Sequence, residues 1–110
     1  MLKTPNPNEL AILAYVKEHP HHSQRVMASN LKLSLGAVNY CVQALIDRGL
    51  MKVQNFKGSQ HRWKYVYVLT PRGLREKMRL TQAFLVLKYE EYERVAREIE
   101  ALERALTEKG

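Results

Sequence analysis

Acidic residues are scarce in the first two thirds of this 110-residue chain. Only Glu9, Glu18 and Asp47 precede Glu76, so acid–base catalysis has few candidate groups there. The sequence also has no glycine-rich phosphate loop and no nucleophile elbow. These absences predict a protein that is not an enzyme and that needs no cofactor.

Cysteine occurs once, at Cys41, which excludes an internal disulfide and fits a reducing compartment. The chain opens with no charged-then-apolar signal segment, and its apolar runs fall far short of the roughly 20 residues that a membrane helix needs. We therefore expect a soluble cytoplasmic protein that has no membrane partner. Cys41 is expected to be an inert core thiol, with redox sensing as the alternative.

Metal-ligand spacings are absent as well. His19, His21 and His22 lie in one short link, but the chain has neither a CxxC nor an HExxH pattern. We expect surface histidines rather than metal ligands, and the sequence leaves open whether this cluster senses anything.

Positive charge is what the chain has in excess. Residues 1–89 contain fourteen basic and four acidic residues, whereas residues 90–110 contain four basic and seven acidic ones. The net charge of +7 favours a polyanionic partner, either nucleic acid or an anionic membrane surface. The acidic end of the chain must serve another purpose.

Residues 6–70 carry the pattern of three short helices and a hairpin. Asn6, Ser23 and Ser34 are favoured N-cap residues, and each precedes apolar residues at helical spacing. Eleven residues separate the second start from the third, which is the spacing of a helix-turn-helix. Gly49 is predicted to end the third helix in the left-handed conformation. The runs "LMKVQNF" and "YVYVLT" then flank the basic connection "KGSQHRWK" and predict a β-hairpin.

Apolar spacing predicts which side chains of these helices are buried. The predicted sets are Leu10, Leu13 and Val16 in the first helix, Val26, Met27 and Leu31 in the second, and Val38, Val42 and Leu45, supported by Cys41 and Ile46, in the third.

A long helix is predicted from Thr70-Pro71 to about Lys109, and it would span roughly 55 Å. Its end carries apolar residues at coiled-coil spacing, preceded by the all-apolar stretch "AFLVL". We predict a homodimer, with a helix folded back along its own domain as the alternative. A parallel pair would place Glu98 against the partner's Glu103, which mildly favours an antiparallel or splayed pair. The predicted dimer residues are Phe84, Leu85, Tyr92, Val95, Ile99, Leu102 and Leu106.

The predicted fold is mainly α with a small β-hairpin. It is one domain over 1–110, with a winged helix-turn-helix core over 6–70 and a dimerisation helix over 71–110.

The third helix, about 34–48, is the predicted recognition helix. Asn39 and Gln43 lie on one face and can each make a bidentate contact to adenine, while Tyr40 can contact a phosphate, a sugar or a thymine methyl group. The connection between the strands, about 56–64, is a predicted wing for phosphate or minor-groove contacts. The predicted DNA-binding residues are Ser23, Gln24, Arg25, Ser34, Leu35, Gly36, Asn39, Tyr40, Gln43, Lys57, Ser59, Gln60, Arg62 and Lys64.

The stretch "SQRVMASNLKLSLGAVNYCVQALIDRGLMKVQNFKGS", followed by "YVYVLTPRGLREKMRLT", resembles small MarR-family winged-helix regulators associated with bacterial exopolysaccharide (EPS) gene clusters. The resemblance implies a dimer on promoter DNA, with Ser34 to Gln43 in the major groove and Lys57 to Lys64 as the wing. Two residues depart from the family pattern: Lys32 replaces a frequent glycine, and Val26 replaces a frequent exposed glutamate. The chain is also short for the family, so a small-molecule effector is doubtful.

The leading hypothesis is a homodimeric, sequence-specific regulator that binds double-stranded DNA. A winged-helix protein-interaction module without specific DNA binding is the alternative, and an RNA-binding regulator is a third.

Overall fold

The computed structural model describes residues 6–57 and 63–108. Their chain order is three helices, two strands and one long helix, which confirms the predicted mainly α, winged helix-turn-helix fold. The elements are α1 (Pro7–Glu18), α2 (Gln24–Leu31), α3 (Leu35–Asp47), β1 (Met51–Lys57), β2 (Trp63–Leu69) and α4 (Pro71–Thr107).

Side-chain caps define where all four helices begin. Asn6, Ser23, Ser34 and Thr70 are extended N-cap residues whose side-chain oxygens accept backbone N–H groups of the first helical turn. Each cap satisfies a donor that has no partner within the helix. Prolines occupy the first positions of α1 and α4, where no N–H is required.

Two left-handed residues end α2 and α3. Gly49 has φ 72°, and the N–H groups of Gly49 and Leu50 donate back to the carbonyls of Ile46 and Leu45. Lys32 takes the same role after α2 with φ 58°, although it has a side chain. The left-handed region is costly for a residue other than glycine, so the turn between α2 and α3 is strained at Lys32, the position where the family pattern has a frequent glycine.

The core lies where α1, α2 and α3 meet the base of the hairpin and α4. The prediction for α2 is wrong at Val26, which is 43 % exposed. The inward face of this short helix is formed by Met27, Ala28 and the half-buried Leu31, and Val26 lies about 100° away from Met27. The fully buried or nearly buried residues are Ile12, Leu13, Val16, Met27, Ala28, Val38, Cys41, Val42, Leu45, Leu50, Met51 and Leu80.

The hairpin is antiparallel, and its register runs from Met51 opposite Leu69 to Lys57 opposite Trp63. Lys57, Trp63 and Lys64 therefore belong to the strands, whereas the sequence placed them in the connection. The pairing extends the ladder beyond the β-rich runs because backbone hydrogen bonds do not depend on residue type. The tip, residues 58–62, lies outside the described residues.

The start of α4 is packed directly on the base of the hairpin. A Cβ atom added at Gly73 would lie 1.9 Å from the carbonyl oxygen of Leu50. The Thr70 N–H donates to that same oxygen, and the Thr70 hydroxyl donates to the Gly49 carbonyl at 2.7 Å.

Further along α4, Leu80 is buried, but every residue from Leu85 to Glu108 is exposed. The molecule is 75 Å long because α4 extends away from the core. Among the described helices, none is long and apolar enough to cross a bilayer.

An ion-pair network joins α1, α3 and α4 at the side of the core. Arg48 donates to Glu9 at 2.9 Å and to Glu76 at 3.4 Å, and Arg79 donates to Glu76 at 2.6 Å. The hydrogen bond from Arg79 is the largest cause of a lowered Glu76 pKa, and the positive charges of Arg79 and Arg48 add to it.

We expect Gly73→Ala to lower the free energy of unfolding by about 1–3 kcal/mol, because the methyl group meets backbone rather than a movable side chain. Urea unfolding measures the change. Gly36→Ala is the control, since nothing lies within 4 Å of its added Cβ, and alanine there should be neutral or stabilising by up to about 1 kcal/mol. Equal stability of the two variants would contradict the close approach at Gly73.

Because its folded pKa is lowered, the Glu76 carboxylate contributes stability above its ordinary pKa of 4.5, and this contribution is lost as the pH falls through the lowered value. Glu76→Gln should therefore destabilise the protein at pH 7 and flatten the acid loss of stability. Urea titrations at a series of pH values test this. Glu91→Gln, which changes an exposed pair with Lys88, should alter the profile much less.

Candidate nucleic-acid interface

Helix α3 has one buried and one exposed face. Val38, Val42 and Leu45 are at most 2 % exposed, and they pack into the core. Asn39, Tyr40 and Gln43 point outward and form what we call the reading face. Tyr40 is 77 % exposed, so most of its side chain is accessible to a ligand. The reading face is therefore a set of planar, hydrogen-bonding groups on a helix whose rotation is fixed by its opposite face.

Asn39 is held by a hydrogen-bonded relay that begins on the hairpin. The Gln24 Nε2 group donates to the Tyr67 hydroxyl at 3.0 Å, and the Asn39 Nδ2 group donates to Gln24 Oε1 at 3.2 Å. β2, α2 and α3 are thereby linked through one side-chain amide. Asn39 keeps Oδ1 and one N–H, the two groups that an adenine edge requires.

Gln43 has a different kind of partner. Its Nε2 group donates to Asp47 Oδ1 at 3.0 Å, one turn further along the same exposed helix face. An exposed bond between neighbouring side chains is easily exchanged for another partner. The Asn39–Gln24 bond is exposed as well, so the two side chains differ in that Asn39 is bonded to another helix and Gln43 to its own.

Two predicted contact residues already have structural roles. The Ser23 hydroxyl caps α2 by accepting the Val26 N–H at 3.1 Å, and the Ser34 hydroxyl caps α3 by accepting the Ala37 N–H at 3.0 Å. Gly36, beside Ser34, has nothing within 4 Å of an added Cβ. The missing side chain thus leaves bare backbone at the start of α3, where the helix dipole favours an anion.

The remaining predicted residues fall into two groups. Arg25 and the 40 % exposed Leu35 lie at the surface, in the first turns of α2 and α3. In the wing, Lys57 and Lys64 belong to the paired strands, and the structure describes only their backbone. Ser59, Gln60 and Arg62 lie outside the described residues.

Tyr67 is linked to the reading face through Gln24, and it is not among the predicted residues. Its main-chain N–H also donates to the Pro20 carbonyl, so β2 is tied to the link between α1 and α2. A groove of about 450 Å³ lies at this junction, lined by His21, His22, Ser23, Gln24, Tyr65 and Tyr67. The alternation in "YVYVL" was the only signal in the sequence that could have pointed to Tyr67, because it places Tyr65 and Tyr67 on one face of the strand.

The histidine link is organised around Tyr15. His22 is hydrogen-bonded through Nδ1 to the Tyr15 hydroxyl, which also accepts from Asn30 at 2.7 Å. His19 stacks on His22 with ring centroids 4.6 Å apart. Within residues 6–57 and 63–108, no group of three His, Cys, Asp or Glu side chains could hold a metal ion.

Cys41 lies on the core side of α3 and is 8 % exposed. Burial raises the pKa of its thiol, and the negative charge of Glu9 raises it further. A raised pKa keeps the thiol protonated and unreactive, which agrees with a structural role.

Residues 5–50 match the model of a winged helix-turn-helix DNA-binding family. No curated protein matches the chain. Solved structures share its fold. BldR, a transcriptional regulator from Sulfolobus solfataricus, is 24 % identical, with a TM-score of 0.63, over 90 % of this chain and 71 % of that one. The S. aureus MepR–DNA complex is 17 % identical, with a TM-score of 0.60, over 93 % of this chain and 78 % of that one. A MarR-family transcription regulator is also 17 % identical, with a TM-score of 0.59, over 92 % of this chain and 66 % of that one.

The chain thus has a winged helix-turn-helix fold. More narrowly, it has the fold found in MarR-family transcriptional regulators, which confirms the predicted resemblance at the level of the fold. The matching family is one of DNA-binding proteins rather than enzymes, as the sequence predicts.

If the relay holds Asn39, Gln24→Ala should release its side chain. We expect the Asn39 side-chain amide to show faster hydrogen exchange and greater mobility in ¹⁵N NMR relaxation, because its partner on α2 is gone. Gln43→Ala is the matched control on α3, and it should leave the Asn39 amide unchanged. An Asn39 amide that is equally mobile in all three proteins would contradict the relay.

Proposed function

We propose that the protein is a transcriptional regulator that binds double-stranded DNA in a sequence-specific manner as a homodimer. The observation that carries this proposal is the reading face of α3. This face is exposed, and it consists of the uncharged side chains of Asn39, Tyr40 and Gln43. The same helix begins with bare backbone at Gly36. A family model of DNA-binding winged helices covers this part of the chain and supports the proposal.

Base readout is assigned to Asn39 and Gln43 in the major groove. An asparagine or glutamine side chain can pair with adenine through one acceptor and one donor, and Asn39 retains both while bonded to Gln24. Tyr40, between them in sequence, is long and exposed enough to contact a phosphate, a sugar or a thymine methyl group. Gln24 acts mainly by orienting Asn39, since both ends of its amide are occupied.

Phosphate contacts are assigned to the start of α3, to the start of α2 and to the wing. Ser34, Leu35 and Gly36 surround the positive end of the α3 dipole, and Ser23 and Arg25 lie at the start of α2. The wing contributes positive charge, because no acidic residue occurs between Asp47 and Glu76. Its assigned contacts, to the backbone or the minor groove, are Lys57, Ser59, Gln60, Arg62 and Lys64.

Dimerisation is assigned to α4. Leu85, Tyr92, Val95, Ile99, Leu102 and Leu106 are between 41 and 88 % exposed, and Phe84 is half-buried. So many exposed apolar side chains on one helix are costly in water. A second copy of the helix would cover them.

The proposal predicts that selection from a random pool of DNA duplexes enriches a motif with two half-sites. We expect Asn39→Ala to relax the base preference at one position of each half-site, costing about 1–3 kcal/mol on the preferred sequence. Lys57→Ala is the control for a backbone contact, and it should weaken binding to all sequences alike. Affinity should also fall steeply with salt concentration, because phosphate contacts release counterions.

Three outcomes would contradict the proposal. Binding that is tight but enriches no sequence would leave only non-specific DNA binding. No binding to duplex DNA at low salt would favour a protein-interaction module, and preference for RNA in competition would favour an RNA-binding regulator.

A further inference from the structure

The exposed apolar stripe of α4 is not confined to the C-terminal part of the helix. It also runs along the N-terminal part. Residues at alternating steps of four and three follow one face of the helix from Leu74 to Leu106, and all of them are exposed. We call this face the seam. It consists of Leu74, Met78, Thr81, Leu85, Lys88, Tyr92, Val95, Ile99, Leu102 and Leu106.

The seam is free over its whole length because the helix contacts its own core through another face. Gly73 and Leu80 are buried, and Phe84 is half-buried. These residues lie about 100° around the helix from Leu74, Thr81 and Leu85. The start of α4 can therefore pack on its own domain and on a second helix at the same time.

Charge is divided between the two halves of this helix. From Pro71 to Tyr89 it has five basic residues and one acidic residue, whereas from Glu90 to Thr107 it has three basic and six acidic ones. A parallel pair would align the two acidic halves and also the two basic halves. An antiparallel pair would align each basic half with an acidic half, which is favourable along the whole contact.

The spacing of the seam is compatible with a parallel pair and with an antiparallel one, and it determines the register of the antiparallel pair. Its steps read four, three, four, three, four, three, four, three, four, which is the same sequence from either end. Reversing one helix about Glu90 therefore places every seam residue opposite a seam residue. The resulting apolar layers are Leu74 with the partner's Leu106, Met78 with the partner's Leu102, and Leu85 with the partner's Val95.

We propose that α4 pairs with α4 of a second copy as an antiparallel two-helix coiled coil centred on Glu90. The proposal deepens the dimer in the proposed function and rests on it. The polar seam residues Thr81 and Lys88 then fall opposite the partner's Ile99 and Tyr92. The long Lys88 side chain and the amphipathic side chain of the partner's Tyr92 can place their polar ends at the edge of the pair.

Two features at the ends of the seam support this register. Arg75 lies within about 3 Å along the axis of the partner's Glu103. In addition, an apolar groove of about 320 Å³ lies beside Leu74, lined in part by Val66, Val68 and Leu69. The partner's Leu106 is placed at this groove, so the end of each arm would cover an apolar surface on the other copy's wing domain.

Charge reversal tests the pairing of Arg75 with Glu103. Arg75→Glu and Glu103→Arg should each raise the dimer dissociation constant about three- to tenfold, as expected for a like-charge contact near an interface. The double variant should return close to the wild-type value. Analytical ultracentrifugation gives the dissociation constants. If the loss of dimerisation free energy in the double variant equals the sum of the losses in the two single variants, the antiparallel register is wrong.

Distances between spin labels test the orientation directly. In a Cys41→Ala background, labels at Glu90→Cys and at Arg104→Cys lie on the outer face of the pair. The antiparallel pair predicts label separations under about 30 Å at residue 90 and over about 40 Å at residue 104, because residue 104 is 14 residues from the centre. Equal short distances at both positions would show a parallel pair and overturn this proposal while leaving the dimer intact.

The same samples separate the other outcomes. A monomer by mass, without dipolar coupling, would overturn both the antiparallel pair and the proposed dimer. An antiparallel dimer that enriches no DNA sequence would support the pair and contradict the proposed DNA recognition.

Discussion

Burial of one stripe of α3 is the constraint on which the rest of the structure depends. Val38, Val42 and Leu45 are almost completely removed from water, and each such side chain contributes about 1.5–3 kcal/mol. A rotation of α3 about its axis would expose them, so the helix has one stable orientation. The outward direction of Asn39 and Gln43 follows from this burial, and the reading face needs no packing of its own. The core thus determines which side chains are available to a ligand.

The links around α3 refine this orientation at two levels. The left-handed turns at Lys32 and Gly49 set where the helix begins and ends, and they use backbone hydrogen bonds only. The relay from Tyr67 through Gln24 to Asn39 acts on a single side chain and joins the wing to the reading face. The backbone is positioned by the core and the turns, and one amide group is positioned by a polar chain across three elements.

Local signals predicted most of the fold. Capping residues gave the four helix starts, and the apolar spacing of α3 gave its buried face, because these patterns depend on residues within one or two turns. Features that depend on distant partners were missed. Gln24 and Tyr67 are 43 residues apart, and no local pattern indicates that they meet. Val26 was misplaced because an eight-residue helix has too few turns for its spacing to define a face. The sequence pattern does not indicate the seam of α4 before Phe84, because Thr81 and Lys88 interrupt its apolar residues.

The close approach of Gly73 to Leu50 makes the junction between the wing and α4 a rigid joint. A flexible linker would let two DNA-binding domains adjust to half-sites at many spacings, with little change in energy. In the proposed dimer, a rigid joint would mean that each base pair added between half-sites rotates one of them by roughly 35° about the DNA axis, so that the protein would have to bend or lose contacts. Tolerance for operator spacing would then be a mechanical property of that dimer, and the close packing at Gly73 would help to set it.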